Sequence, residues 1–513
     1  MTAKRLMAGI LAVWMLLAAA ACASAPGDAS DSPDTTAPGA VSDQPTDTAT
    51  ETAAPESTGR ENTPDGLPEG LDFGGETITV LYRGTGDGKS SIEIYDVAGT
   101  DNSGNYVSDA VWERNRSVEE RLGVRFDCVA TNAGNVNSTA SFIRQTVMAG
   151  TDEFDYINST GNTTIKHNIN AYLRDLAHLS YVDYSKPWWW NFAMDAVSLD
   201  GETYHYIFGD MLIYSYIQTG VFYYNKDICQ NLWGDPDLIY SYVMDGSWTM
   251  DKLIELTSGA YSDANGSGQE DDGDVFGCLR ASTVGEQPPH FFVGFGIDMY
   301  HRDENKKLVI EFDEERSVEA IEKMYTLWSN TAGIYRATVG IDDCGKIFTE
   351  GNVLFYPGRF SAVLSEYMRN MESPYGILPY PKLNEAQKEY VSMIHDSSTN
   401  VCLPKTVSDP KAETIGAVLE ALCAESYRNV MPKFLESALK FKYSQDALSG
   451  KVIDLVIDGV TKNTLYEYRD YTADIFTTCL INPSNGSGNF ASSYAKVKPA
   501  AQKTWDKAVA DQK

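Results

Sequence analysis

The spacing of apolar residues changes period repeatedly between residues 76 and 160. Glu76–Arg83 (ETITVLYR) alternates and then runs apolar, the pattern of a buried strand. Tyr106–Leu122 puts Val107, Val111, Val118 and Leu122 on one helical face. Val124–Val129 reads as a strand, Ser138–Met148 as a helix and Phe154–Ser159 as a strand again. Strand and helix in alternation predict a parallel sheet, hence an α/β lobe. Farther on, Trp248–Leu256 opens a helix with Thr249 as its cap and Asp251 in its first turn. Arg316–Trp328 is an amphipathic helix carrying Val318, Ile321, Tyr325 and Trp328. Val353–Tyr356 and Tyr375–Leu378 read as strands, and Ile415–Cys423 as a helix. Beyond Met431 the pattern is mostly helical, with a Gly/Asn/Ser break at 483–488.

The N-terminus breaks this pattern twice. Lys4 and Arg5 precede an apolar run from Leu6 to Ala21, too short for a membrane span and built like an export leader. Cys22 then follows AAAA, which resembles the lipidation site of bacterial lipoproteins, with Ala19 where Leu is usual. Cleavage after Ala-Ser-Ala at 23–25 is the alternative and would release the protein. Residues 23–70 are Ser, Thr, Pro, Ala, Gly and acids, with too few large apolar side chains to form a core. That stretch is expected to be a disordered tether, and a tether favours an anchored protein, exposed at the cell surface on the cytoplasmic membrane. The leader carries +2 and the tether −9, which leaves −24 of the total −31 on the folded part. So acidic a surface disfavours nucleic acid and anionic lipid as partners. Some 440 residues exceed one hydrophobic core and predict two lobes. Eight scattered cysteines without a CxxC pair argue against a disulfide framework and against zinc.

Residues 263–274, DANGSGQEDDGD, have the spacing of a calcium loop. Oxygen ligands fall at Asp263, Asn265, Ser267, Gln269, Asp271 and Asp274, with Gly268 sixth of the twelve. A single loop without a partner hand is not a sensor, so a structural Ca2+ is expected, or else a plain Gly/Asp turn. GTGDGKS at 84–90 ends like a phosphate loop but has Arg83 where the first glycine belongs. KPWWW at 186–190 offers Trp188 and Trp189 as stacking surfaces for sugar C–H faces, or as core. No HExxH, GxSxG or cysteine nucleophile context occurs, and the six histidines are isolated. No catalytic residue and no enzymatic activity are assigned.

In order, the segments ITVLYR, VSDAVWERNRSVEERLGVRF, FDYINSTG, YYNKD, WTMDKLIEL, FTEGNVLFYPGRF and YGILPYPKLNEAQKEY resemble the extracellular solute-binding proteins of ABC importers. The resembled branch is the large one that includes maltose and alginate oligosaccharide binders, and the likeness runs from about residue 75 to the C-terminus. It implies a two-lobe, type II periplasmic-binding-protein-like α/β fold with a hinge. Lobe 1 is then expected at 71–209 plus 376–430 and lobe 2 at 210–375 plus 431–513. The resemblance further implies a carbohydrate, in this branch an oligosaccharide, bound between the lobes of a monomer and delivered to a permease. It carries ligand contacts to Arg83, Asp87, Lys89 and Asn158 in the first lobe and to Tyr216 and Gln218 at the crossing. In the second lobe it carries them to Glu286, Tyr356 and Arg359. A peptide or other nonsugar solute, and an exported polysaccharide-degrading enzyme, are the alternatives.

Overall fold

The computed structural model describes residues 59–84, 94–99, 106–131, 134–283, 286–440 and 447–511; Cys22, Asp87, Lys89 and the leader lie outside them. In chain order the strands are β1 (Glu76–Tyr82), β2 (Val124–Ala130), β3 (Tyr156–Thr160), β4 (Gly220–Asn225), β5 (Phe276–Arg280), β6 (Tyr300–Arg302) and β7 (Leu308–Ile310). They continue with β8 (Ile334–Arg336), β9 (Val353–Arg359), β10 (Tyr375–Leu378), β11 (Ser392–Met393), β12 (Thr399–Cys402) and β13 (Val460–Thr461).

The first sheet has the order β2-β1-β3-β12. β1 is parallel to both β2 and β3, as strand–helix alternation requires, and β12 closes the far edge antiparallel to β3. The crossover helices are Tyr106–Leu122 and Val136–Ala149. Asn135 caps the second by accepting the Ser138 N–H, and Gly150, at φ 69, ends it. Helix Asp409–Glu425 packs along Tyr106–Leu122.

The second sheet has the order β10-β4-β9-β5-β8 and is mixed. Every residue of β4 and β9 is buried, because both faces of these strands are covered. The chain enters this sheet through Ile217–Gly220 and leaves it through Ile394–Thr399. Thr219 and Ile394 form an antiparallel bridge, and the His395 N–H donates to the Gln218 carbonyl at 3.2 Å. Two crossings are thereby stitched side by side.

Several expected boundaries move. Residue 376 lies inside β10, which pairs with β4, so the return to the first sheet comes later, at β12. Residues 210–217 stay with the first lobe, because Ile213, Tyr214 and Ile217 cluster with Val107 and Val111. Helix Met431–Lys440 also packs on Tyr106–Leu122, whereas Ala447–Asp458 packs on β10 and helix Phe490–Ala510 on β7. Residues 59–70, expected in the tether, include packed ones: Leu67 is buried, and Asp65 accepts both Arg121 nitrogens (2.5 and 2.9 Å) and Arg428 (3.2 Å). Although burial opposes it, these bonds hold the Asp65 carboxyl down at about 2. In helix Glu314–Tyr325, Val318 and Tyr325 face outward and Ala320, Ile321 and Met324 inward. The seven described cysteines are free, six of them buried.

Candidate functional site

A cleft with a cavity volume of about 300 Å³ opens where the crossings leave the two sheets. From the first-lobe side it is lined by Val107, Ile213, Tyr214, Ile217 and the crossing residue Gln218. From the second-lobe side come Asp342, Ser361, Leu364, Ser365 and Tyr367. Each lobe thus supplies aliphatic surface and one tyrosine, with amide, hydroxyl and carboxylate groups between them. The short helix Ile213–Ile217 explains the first wall, since positions 213, 214 and 217 share a face and 216 points away. On the second wall, helix Ile341–Phe348 brings Asp342, whose carbonyl accepts the Tyr367 hydroxyl at 3.0 Å. Burial raises the Tyr367 phenol, which therefore stays a neutral donor and stacking ring.

Beneath the cleft the polar groups are linked. Gln218 Oε1 accepts from Arg359 Nη1 (3.2 Å) and from the Ser397 hydroxyl (2.8 Å). His395 Nδ1 lies 2.9 Å from that hydroxyl, and its Nε2 lies 2.9 Å from Tyr466 OH. Burial, then Arg359, Arg469 and Lys462, push His395 well below the usual histidine range, so the imidazole is neutral. Behind the first wall, buried Asp96 accepts the Tyr214 N–H (2.7 Å), the Thr399 hydroxyl (2.5 Å) and Asn158 Nδ2 (3.3 Å). Burial outweighs these bonds and lifts the Asp96 carboxyl to about 6.

Among the residues expected from sequence, Gln218 lines the cleft and Arg359 lies directly under it. The other described ones do not line this cavity, and Asp87 and Lys89 lie outside the described residues. Trp188 and Trp189 are buried in the first-lobe core, Trp188 against Tyr427 and Trp189 with its Nε1 donating to Glu420 at 2.9 Å. Tyr216 turns to Trp190 and donates to Asp210 at 3.1 Å. Asn158 is wholly buried and supports Asp96. Glu286 accepts the Ile341 N–H at 3.0 Å and so caps the helix that carries Asp342. Tyr356 is core, stacked on Tyr223 and donating to the Ile341 carbonyl at 2.8 Å. Arg83 follows the end of β1 and is half-buried. Tyr214, Asp342, Leu364 and Tyr367 were not singled out from sequence as contacts. No local sequence pattern marks them, since the exposure of Leu364 emerges only in the fold.

The loop at 263–274 is folded on itself. Asp263 accepts the N–H groups of Ser267 (3.0 Å) and Gly268 (2.8 Å), and Gly268 takes φ 72. Asn265 Nδ2 donates to Asp271 at 2.7 Å, and the Ser267 hydroxyl to the Gln269 carbonyl at 3.0 Å. Asp274 Oδ2 accepts from Tyr261 OH at 3.1 Å, while its Oδ1 is buried without a partner. Among the described residues no group of three or more His, Cys, Asp or Glu is arranged to hold a metal. Three of the six expected ligands here are amides or a hydroxyl. No described helix is long and apolar enough to cross a membrane.

No family model and no curated protein sequence matches the chain. Solved structures do. An ABC transporter solute-binding protein of Thermotoga lettingae, bound with alpha-D-tagatose, superposes with a TM-score of 0.52 at 13% identity, over 84% of this chain and 100% of that one. Maltose-bound MalE3 of T. maritima gives 0.49 at 13% identity, over 83% and 99%. The maltose/maltodextrin-binding domain of Bdellovibrio bacteriovorus, bound to maltotriose, gives 0.49 at 13%, over 84% and 99%. The first of these likenesses establishes the fold as the two-lobe α/β fold of ABC transporter solute-binding proteins.

Proposed function

We propose that this chain is a solute-binding protein that captures a carbohydrate, an oligosaccharide, between its lobes and hands it to an ABC permease. The observation that carries this reading is the cleft at the crossings, with one tyrosine from each wall and a cluster of hydroxyl, amide and carboxylate groups. Sugars need that mixture, since their C–H faces stack on rings while their hydroxyls require planar polar partners. Hinge closure at two stitched crossings then buries the ligand, and binding rather than turnover is the role. Anchoring through lipid on Cys22 would leave the protein outside the cytoplasmic membrane on its acidic tether, acting as a monomer. A structural calcium ion, held by Asp263, Asn265, Ser267, Gln269, Asp271 and Asp274, would clip the second lobe. The buried, unpartnered Asp274 Oδ1 supports it.

The test is a thermal-shift panel of glycans and short peptides on the mature protein, since a ligand of the native state raises its melting temperature by mass action. Glycans should stabilise it and be recovered intact. Stabilisation by peptides alone would sink the sugar assignment, and cleaved glycan would point to an enzyme. Tryptophan quenching is not the expected signature, because the lining rings are tyrosines.

A further inference from the structure

Among the described residues two arginines are almost wholly buried, and they are satisfied very differently. Arg114, 3% exposed, donates to the carbonyls of Met211 and Asp96, to Ser426 Oγ and twice to Asn115 Oδ1. Its fork is used up inside the protein, as a structural arginine requires. Arg359, 6% exposed, makes one hydrogen bond, from Nη1 to the neutral Gln218 Oε1 at 3.2 Å. Its Nε is buried with no partner. The nearest carboxylate, Asp342, stands 3.8 Å away, beyond hydrogen-bond reach, and its side chain is 74% exposed, so solvent screens it.

The remaining neighbours do not supply the missing charge. His395 and His290 are both held neutral, chiefly by burial. Asp396 is engaged by Arg469 at 2.6 Å, and Glu467 by Lys462. A buried guanidinium with most of its donors idle is costly unless something completes it. Gln218 and Asp342, the two groups beside it, both line the cleft. The completing group therefore comes from the cleft.

Resting on the reading of the cleft as a saccharide site, we propose that the ligand is an acidic saccharide and that Arg359 receives its carboxylate. A carboxylate matches the planar fork with two parallel bonds and cancels the charge, whereas sugar hydroxyls match the donors and leave the charge buried. One carboxylate is the natural number. From residue 59 onward the chain carries −26 by sequence (−31 less +2 in the leader and −7 in 23–58), and Asp342 beside the fork repels a second anionic group, so a densely charged polyuronate is disfavoured.

The experiment is calorimetric titration of the mature protein with matched pairs: xylo-oligosaccharides with and without a glucuronic acid branch, and galacto- against singly oxidised galacto-oligosaccharides. The acidic member of a pair should bind about 10- to 100-fold more tightly, the range of a charged hydrogen bond. That advantage should shrink as salt is added, and in Arg359→Gln the acidic member should lose more affinity than the neutral one, so that their ratio falls to about one. Arg359→Lys should keep part of it. Equal affinity for both members in the wild type, or an equal loss for both in Arg359→Gln, would overturn the acidic assignment and leave the saccharide reading standing. Binding of neither class would remove both. If Arg359→Gln does not fold, the wild-type ratio and its salt dependence decide alone.

Discussion

Replacing Asp96 by Asn should change the pH dependence of stability, by an amount the structure lets one work out. Burial lifts the Asp96 carboxyl from 3.8 to about 6 despite three hydrogen bonds. At about 1.4 kcal/mol per tenfold change in proton affinity, the charged form is roughly 3 kcal/mol costlier in the fold than in the unfolded chain. The sign follows from a raised carboxyl: its contribution is fully present below the unfolded value and is lost as pH rises through about 6. Asp210, also lifted to about 6, and Glu420, lifted to about 7, act in the same window and in the same direction. Asp65, lowered to about 2, acts oppositely, its contribution disappearing only as pH falls below the ordinary carboxylate range. Asp96→Asn keeps the shape and removes the titration. Its stability relative to wild type should therefore rise by roughly 3 kcal/mol between about pH 4 and about pH 7.5. For some 450 residues unfolding near ~2.1 cal/mol/K each, that is about 3 °C in melting temperature. Circular-dichroism melts of both proteins across the window measure it. A difference between the two that does not move with pH would refute the reasoning.

Four further outcomes are expected. Tyr367→Ala, and separately Tyr214→Ala, should weaken saccharide binding by about 1–2 kcal/mol, one on each wall, measured by titration alongside a melt that checks the fold. Small-angle scattering should show a smaller radius of gyration with ligand, and an unchanged radius would argue against closure. Calcium at about 100 times Kd should add roughly 2.7 kcal/mol of stability, and Asp263→Ala with Asp274→Ala should abolish it. Cys22→Ser should move the protein from the membrane fraction to the soluble one; continued retention would mean another anchor.

The first lobe was legible because its periodicities are long and local. Helix Tyr106–Leu122 begins and ends where its apolar face does, and Thr249 caps its helix by accepting the Lys252 N–H as expected. Boundaries failed where partners are distant. YGIL at 375–378 reads as a strand from either lobe, and only its pairing with β4 decides. Three consecutive tryptophans signal aromatic surface, but not which side of a wall it faces. Trp189 and Trp190 are settled inside by Glu420 and Asp210, acceptors whose position no local pattern reveals. Choosing Tyr216 over Tyr214 was a question of direction on a five-residue helix, where a shift of two positions turns the side chain to the opposite face. Asp342 and Tyr367 belong to no motif at all. They meet the first wall only because the chain returns across the hinge.

The last strand of the first sheet has a consequence for how the protein is made. β3 is buried throughout, yet one of its edges is completed by β12, whose Thr399 faces Thr160 about 240 residues later in the chain. At about 5–20 residues per second, the ribosome takes roughly 12–50 s to deliver that partner. Until then β3 offers an open apolar edge, and the second lobe can complete its own sheet first, since β4 to β10 all precede β12. Closing so long a loop is slow, and an exposed edge invites aggregation. Export of an unfolded chain, part of the function proposed above, would let both strands assemble together on the far side of the membrane and spare the nascent chain that wait.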